Sequence, residues 1–299
     1  MKKYFIVAFT ALFATSIQGL AQMSLKGESA SVNEHVLKTV KLSTGVSLNY
    51  VEQGQKGAVP VIFIHGYSDS WRSFEKVLSL LPTSVHAFAV TLRGHGDSDK
   101  PMSEYTPDEF AKDIAAFVQD LKIGAVIVTG HSLGGTVAQQ FAKDFPELCR
   151  GLVLVATFSS FDNKPMVQEL SMVINQFTDP VDSSFIYEFQ KSTLSREIAA
   201  SELNLYVSES KKLPAYAWKA IINGLINAKL MEGSEKISVP TLLIWGDKDA
   251  VTPEADQQEL LGNIRNARLI VYKNTGHAVH WEEPARFAKD LESFINKIR

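Results

Sequence analysis

From residue 36 onward, short runs of consecutive apolar residues alternate with longer stretches in which apolar positions recur every three or four residues. The runs at 59–64, 87–92, 125–129, 152–156, 241–245 and 268–272 are rich in β-branched residues and apolar on successive positions, as strands buried on both faces of a parallel sheet must be. Ahead of them, 36–42 and 46–52 flank Ser43-Thr44-Gly45 and read as an antiparallel hairpin. Helices fill the intervals. Thr106-Pro107-Asp108-Glu109 offers a capping hydroxyl, a proline at the first helical position and a glutamate three residues after the cap. Phe110, Ile114, Phe117, Val118 and Leu121 then follow at helical spacing. Pro284 opens a C-terminal helix with Phe287, Leu291, Phe294 and Ile295 on one face. The alternation predicts an α/β fold, a doubly wound and mostly parallel eight-stranded sheet with its site at the carboxyl ends of the strands.

One segment breaks the rhythm. Residues 158–237 hold no strand-like run, while 165–177, 184–191, 195–208 and 214–231 carry helical patterns. An insertion of about 80 residues after the sixth strand predicts a helical cap over the strand ends, with the core split into 35–157 and 238–299. Residues 22–34 are small, polar and aperiodic, which predicts a flexible linker. Residues 1–21 combine Lys2 and Lys3, an apolar stretch from Tyr4 to Ile17 and the small residues Gly19 and Ala21 around Leu20, which predicts a signal peptide cleaved before Gln22. The stretch of about 14 residues is shorter than the ~20 that span a bilayer, so no stable membrane anchor is expected and the mature chain is expected to be periplasmic or secreted, in a bacterium.

Composition narrows the chemistry. An apolar share of 45% and a charged share of 21% describe an ordinary folded chain. The 30 basic and 33 acidic residues give a net charge of −3, and no basic run appears, so nucleic acid is not an expected partner. Cys149 is the single cysteine; it can form neither an intrachain disulfide nor a cysteine zinc site, and its place beside an apolar run reads as a buried structural thiol. There is no His-Glu-x-x-His pattern and no Gly-x-x-x-x-Gly-Lys-Ser/Thr loop. The expectation is chemistry on a small molecule without metal or cofactor.

Val126-Ile-Val-Thr-Gly130-His-Ser132-Leu-Gly134-Gly135 reads as a strand, a Gly-x-Ser-x-Gly turn and the start of a helix. The pentapeptide alone would arise by chance in roughly one chain in ten of this length, but the strand-to-helix setting is specific. Glycines on either side let a serine occupy a strained conformation with its hydroxyl exposed above the sheet. Such a serine needs a base, and the base needs an acid to fix its tautomer. The only histidines downstream of Ser132 are His277 and His280. An oxyanion formed on acyl attack also needs donors, and the amide of Leu133, first after the serine at a helix N-terminus, is the natural one.

With His65-Gly66, Arg93-Gly94-His95-Gly96-Asp97-Ser98, Gly246-Asp-Lys-Asp249 and Gly276-His277 followed by Pro284, the sequence resembles the cap-bearing α/β-hydrolase superfamily over nearly all of the mature chain. That resemblance implies His277 as base and Asp249 as acid; Asp247 on the same turn and Asp162 after the preceding strand are competing acids, and His280 is the competing base. It also implies a second oxyanion amide in the turn at His65-Gly66-Tyr67, that of Tyr67 or else Gly66, with His65 fixing the loop. The segment Arg93 to Ser98 is implied to be a stabilising turn, although relatives often carry an aspartate where this chain has Thr91. The activity implied is that of a serine hydrolase cleaving a carboxylic ester of a small apolar substrate. Lactone, amide, thioester and carbon–carbon bond hydrolysis or perhydrolysis are the alternatives, and a ligand-binding protein is the alternative outside enzymes. Met166, Met172, Phe177, Phe185, Tyr187, Phe189, Tyr206, Tyr216 and Trp218 in the cap point to an apolar pocket, although many of them must pack the cap on the sheet.

Overall fold

Residues 35–162 and 164–298 are described by the computed structural model of this chain, and the expected leader and linker lie outside them. The first hairpin is β1 (Leu37–Lys41) and β2 (Ser47–Gln53), closed by the Leu42 amide donating to the Val46 carbonyl at 2.8 Å. There follow β3 (Pro60–Ile64), α1 (Glu75–Leu80), β4 (His86–Thr91), α2 (Pro107–Asp120), β5 (Val126–His131), α3 (Leu133–Asp144) and β6 (Cys149–Val155). Four helices then intervene: α4 (Pro165–Ile174), α5 (Ser183–Ser192), α6 (Ala200–Ser210) and α7 (Ala215–Ile226). The core resumes with β7 (Thr241–Gly246), α8 (Glu254–Asn263), β8 (Ala267–Tyr272), α9 (Val279–Glu282) and α10 (Pro284–Ile298).

All eight strands join one sheet in the order β1-β2-β4-β3-β5-β6-β7-β8. Pairing is antiparallel for β1 with β2 and for β2 with β4, and parallel from β4 through β8. The continuous apolar runs have a direct cause. Ile62 and Ile64 of β3 pack into the layer that holds α2 and α3, whereas Val61 and Phe63 enter the opposite layer with α1 and α10. Both faces of the central strands are therefore dry, and neither face tolerates a polar alternation. Strand order reverses around β3, whose chain neighbour β4 lies on one side and β5 on the other. The crevice between the carboxyl ends of β3 and β5 is the switch point where open α/β sheets hold ligands.

Local signals explain the helix starts. Thr106 caps α2, its hydroxyl accepting the Glu109 amide at 3.3 Å, with Pro107 at the first position. Helix α8 escaped the apolar pattern because it has almost no apolar stripe. Of its ten residues Leu260 is the one buried apolar side chain, beside buried Asp256 and Gln257. In the insertion, α6 begins at Ala200 rather than 195, and α7 ends at Ile226 rather than 231. The residues released from the start of α6 have another task, described below.

Candidate active site

Ser132 sits between the last residue of β5 and the first of α3, at φ 52° and ψ −114°. A positive φ strains a side chain with a Cβ, and the surroundings hold it there. Its amide donates to the Val155 carbonyl of β6 at 2.9 Å, and its carbonyl accepts the amides of Gly135 and Thr136 and the Thr157 hydroxyl. The flanking glycines are required by close approach. A Cβ on Gly130 would stand 2.0 Å from the Gly134 carbonyl oxygen, and one on Gly134 would stand 2.1 Å from that of Ile64. These are backbone atoms and cannot yield.

Ser132 opens on a cavity of about 240 Å³ that is also lined by Tyr67, Leu133 and His277. Among the described residues neither the Tyr67 nor the Leu133 amide has a hydrogen-bond acceptor, so both can donate to a group bound beside the serine hydroxyl. The Tyr67 loop is fixed from two sides. His65 accepts the Leu92 amide through Nε2 at 3.0 Å, which leaves its Nδ1 proton to donate to the Gly66 carbonyl at 2.8 Å. Tyr67 Oη donates to the Trp218 carbonyl of α7 at 2.6 Å. Burial pushes the His65 imidazole down to about 4, so it is a neutral strut at working pH.

Asp249 lies three residues past the end of β7, and His277 lies in the turn after β8. Nδ1 of His277 is 3.0 Å and 3.1 Å from the two carboxylate oxygens. Oδ1 of Asp249 also accepts the amides of Val251 and Thr252, and Oδ2 the Thr252 hydroxyl. Burial works to raise the Asp249 pKa, but the His277 charge and the hydrogen bonds from His277 and Thr252 outweigh it and hold the carboxyl below its ordinary value. An ionised Asp249 keeps the His277 proton on Nδ1 and leaves Nε2 free to accept one. No hydrogen bond joins Ser132 to His277 in this structure; such contacts commonly tighten only when substrate is bound.

The competing residues lie elsewhere. Asp247 turns to the Asn274 amide, 2.6 Å away, and to Lys273. Asp162 is exposed, with its own amide donating to Ser160 Oγ. His280 is buried against Phe74, its Nε2 2.8 Å from Ser73 Oγ. Arg93 forms a buried bidentate pair with Asp113, at 2.5 and 2.7 Å, so its guanidinium is spent inside the protein. Thr91 accepts the Trp71 amide at 3.2 Å. Cys149 is buried, and desolvation pushes its thiol up to about 12.

Sequence reading missed the clasp on the His277 turn. Glu282, its side chain wholly inaccessible, accepts the Gly276 amide at 3.1 Å and the Ser195 amide at 2.7 Å through Oε1. The Ala278 amide donates to the Thr193 carbonyl at 3.1 Å, and Arg196 donates to the carbonyls of Asn274 and Lys273. Residues 193–196, the link between α5 and α6, thus grip both sides of His277. Nothing in the local pattern separates these residues from a first helical turn, so no sequence signal could have found them.

Among the described residues no group of three or more His, Cys, Asp or Glu side chains is arranged to hold a metal ion, and no helix is long and apolar enough to cross a membrane.

The chain belongs to the alpha/beta hydrolase fold family, whose family model matches residues 59–284. It is 23% identical to epoxide hydrolase 1 of Caenorhabditis elegans, over 99% of this chain and 80% of that protein. It is 27% identical to monoacylglycerol lipase ABHD6 of Mus musculus, over 83% of this chain and 79% of that protein. Among solved structures it is similar to an esterase from Exiguobacterium antarcticum, with a TM-score of 0.79 and 24% identity over 86% of this chain and 98% of that one.

Proposed function

We propose that the protein is a serine hydrolase that cleaves a carboxylic ester of a small, largely apolar substrate through an acyl-enzyme at Ser132. The observation that carries this reading is His277, held by Asp249, lining the same cavity as a serine held at positive φ on a strand-to-helix turn. Ser132 Oγ attacks the carbonyl carbon while its proton passes to His277 Nε2. Asp249 stabilises the imidazolium that results. The carbonyl oxygen, now an oxyanion, accepts the amides of Tyr67 and Leu133, each such donor commonly worth ~10² to 10³ in rate. Collapse expels the alcohol, which leaves with the proton from His277. Water then attacks the acyl-enzyme by the same path and regenerates the Ser132 hydroxyl.

Epoxide hydrolysis, the activity named for one relative, is disfavoured here because it calls for a carboxylate nucleophile and position 132 is serine. The helices between β6 and β7 act in this reading as a cap that shapes the acyl pocket, since Met166, Val167 and Phe189 line the cavity from that side. A panel of p-nitrophenyl esters of increasing acyl length, with a lactone and an anilide alongside, tests the reading. Short-chain esters are expected to be the best substrates, with turnover lost in Ser132→Ala. Failure of the folded wild-type protein to cleave any ester would contradict it.

A further inference from the structure

A second cavity, of about 260 Å³, lies against the one that holds Ser132. Phe158, Met166, Val167 and Val251 line both, so single side chains are the wall between them. Beyond that wall the second cavity is bounded by Pro165, Ala250 and Pro253, and by Lys164, which is spent in an ion pair with buried Asp256. The four shared residues differ in what else they do. Phe158 and Val167 are 6% and 5% exposed and belong to the core, the Phe158 ring lying 4.8 Å from that of Phe161. Met166 is 46% exposed and Val251 is partly exposed, so neither is needed to fill the interior. Their backbones are fixed all the same. The Val251 amide donates to Asp249 Oδ1 at 2.7 Å, and Met166 follows the paired Lys164 and the proline that opens α4. Removing either side chain would therefore open the wall without moving the chain that carries it.

We propose that Met166 and Val251 set the upper length of the acyl chain, by closing the Ser132 cavity off from an apolar space that would otherwise receive the chain's far end. The inference rests on the hydrolase reading and names the residues that limit its substrates to short acyl groups. The acyl group, rather than the alcohol, faces this wall. The leaving alcohol takes its proton from His277, which is followed closely by Trp281 and whose turn is gripped by the Thr193 carbonyl; both residues line the cavity and mark the alcohol side. The shared residues, with Phe161 and Leu170, form the apolar side that is left for the acyl chain. A methylene that finds apolar room is worth up to roughly fourfold, whereas one that meets a filled wall must displace it or stay in water. In this arrangement a butyryl chain is accommodated and a decanoyl chain is turned away.

The test reads kcat/KM for p-nitrophenyl butyrate, hexanoate and decanoate, and for butyl and decyl acetate. The wild-type protein should favour butyrate over decanoate roughly tenfold or more. Met166→Ala and Val251→Ala should each raise the decanoate-to-butyrate ratio roughly tenfold or more, and either variant suffices if the other fails to fold. Leu170→Ala is the control. Leu170 lies one turn further along α4, lines the Ser132 cavity alone, and loses as many heavy atoms as Met166→Ala. It should help hexanoate at most and leave decanoate poor. A general disturbance of the site would slow every ester alike and leave the ratio unchanged. An unchanged ratio in both wall variants, an equal rise in Leu170→Ala, a gain for decyl over butyl acetate in place of the acyl series, or a wild-type preference for decanoate overturns the partition while the hydrolase reading stands. If no ester is cleaved and Ser132 takes no active-site label, that reading fails and this inference with it.

Discussion

Nδ1 of His277 meets both carboxylate oxygens of Asp249, at 3.0 and 3.1 Å, with the Asp249 side chain fully withdrawn from solvent. Asparagine at 249 would present an amide donor to Nδ1 and favour the tautomer protonated on Nε2, which cannot take the Ser132 proton. Asp249→Asn is therefore expected to lower kcat on the order of 10⁴. Asp247→Asn, which loses only an exposed contact with Lys273 and the Asn274 amide, should change it a few-fold at most. Steady-state kinetics on one ester decides between them, and a crippled Asp247→Asn beside a near-normal Asp249→Asn would move the acid to the other residue.

Glu282 acts through the turn it holds. Loss of its carboxylate leaves the Gly276 and Ser195 amides without an acceptor and lets the turn bearing His277 drift. Glu282→Ala should lower kcat by roughly 10- to 100-fold with KM little changed, and Glu282→Gln, which keeps an oxygen for both amides, should recover most of the loss. Equal kinetics in wild type and Glu282→Ala would show that the clasp does not position His277.

Acid should unfold this protein early. Burial holds His65 at about 4, His280 at about 3, and His95 and His131 well below the ordinary 6.5. Below pH 6.5 the unfolded chain therefore binds protons that the folded chain refuses, and stability falls as pH falls. Asp69 works the other way: raised from 3.8 to about 7 by burial, it holds a proton in the folded state that the unfolded chain has shed, which offsets one histidine between those values. Four histidines less one carboxyl leave three protons, at about 1.4 kcal/mol per pH unit each, or a slope near about 4 kcal/mol per unit around pH 5. Set against a typical stability of ~5–15 kcal/mol and an onset near pH 6.5, this puts the acid unfolding midpoint between about pH 3 and 5. Circular dichroism across pH 2–8 checks it, and a native spectrum persisting at about pH 2 would contradict neutral buried imidazoles.

The fold and the site were not equally legible. Strands with apolar residues on both faces announce themselves as unbroken apolar runs, and the six such runs correspond to β3 through β8, while the turn at Ser43-Thr44-Gly45 marked the hairpin of β1 and β2. Helix α8 was silent because it buries Asp256 and Gln257 where an apolar stripe would otherwise run. Ser132 stood out because its turn demands glycine at fixed offsets, a local requirement written in the sequence. Asp249, Asp247 and Asp162 could not be separated by spacing, since what distinguishes them is the direction in which each side chain turns. Gln190, Thr193 and Ser195 were invisible for a similar reason: their partners at Asp69, Ala278 and Glu282 lie far away in sequence, and only the folded insertion brings them together.

The role of Ser132 as nucleophile is tested most directly by covalent capture. The protein is treated with a fluorophosphonate at neutral pH, digested and mapped by mass spectrometry, with Ser132→Ala and His277→Ala treated in parallel. The account predicts one adduct, on Ser132, absent from Ser132→Ala and strongly slowed in His277→Ala, while all three proteins keep the same circular dichroism spectrum. A folded wild-type protein that takes no label, or takes it on another residue at an unchanged rate when Ser132 is replaced, would contradict it.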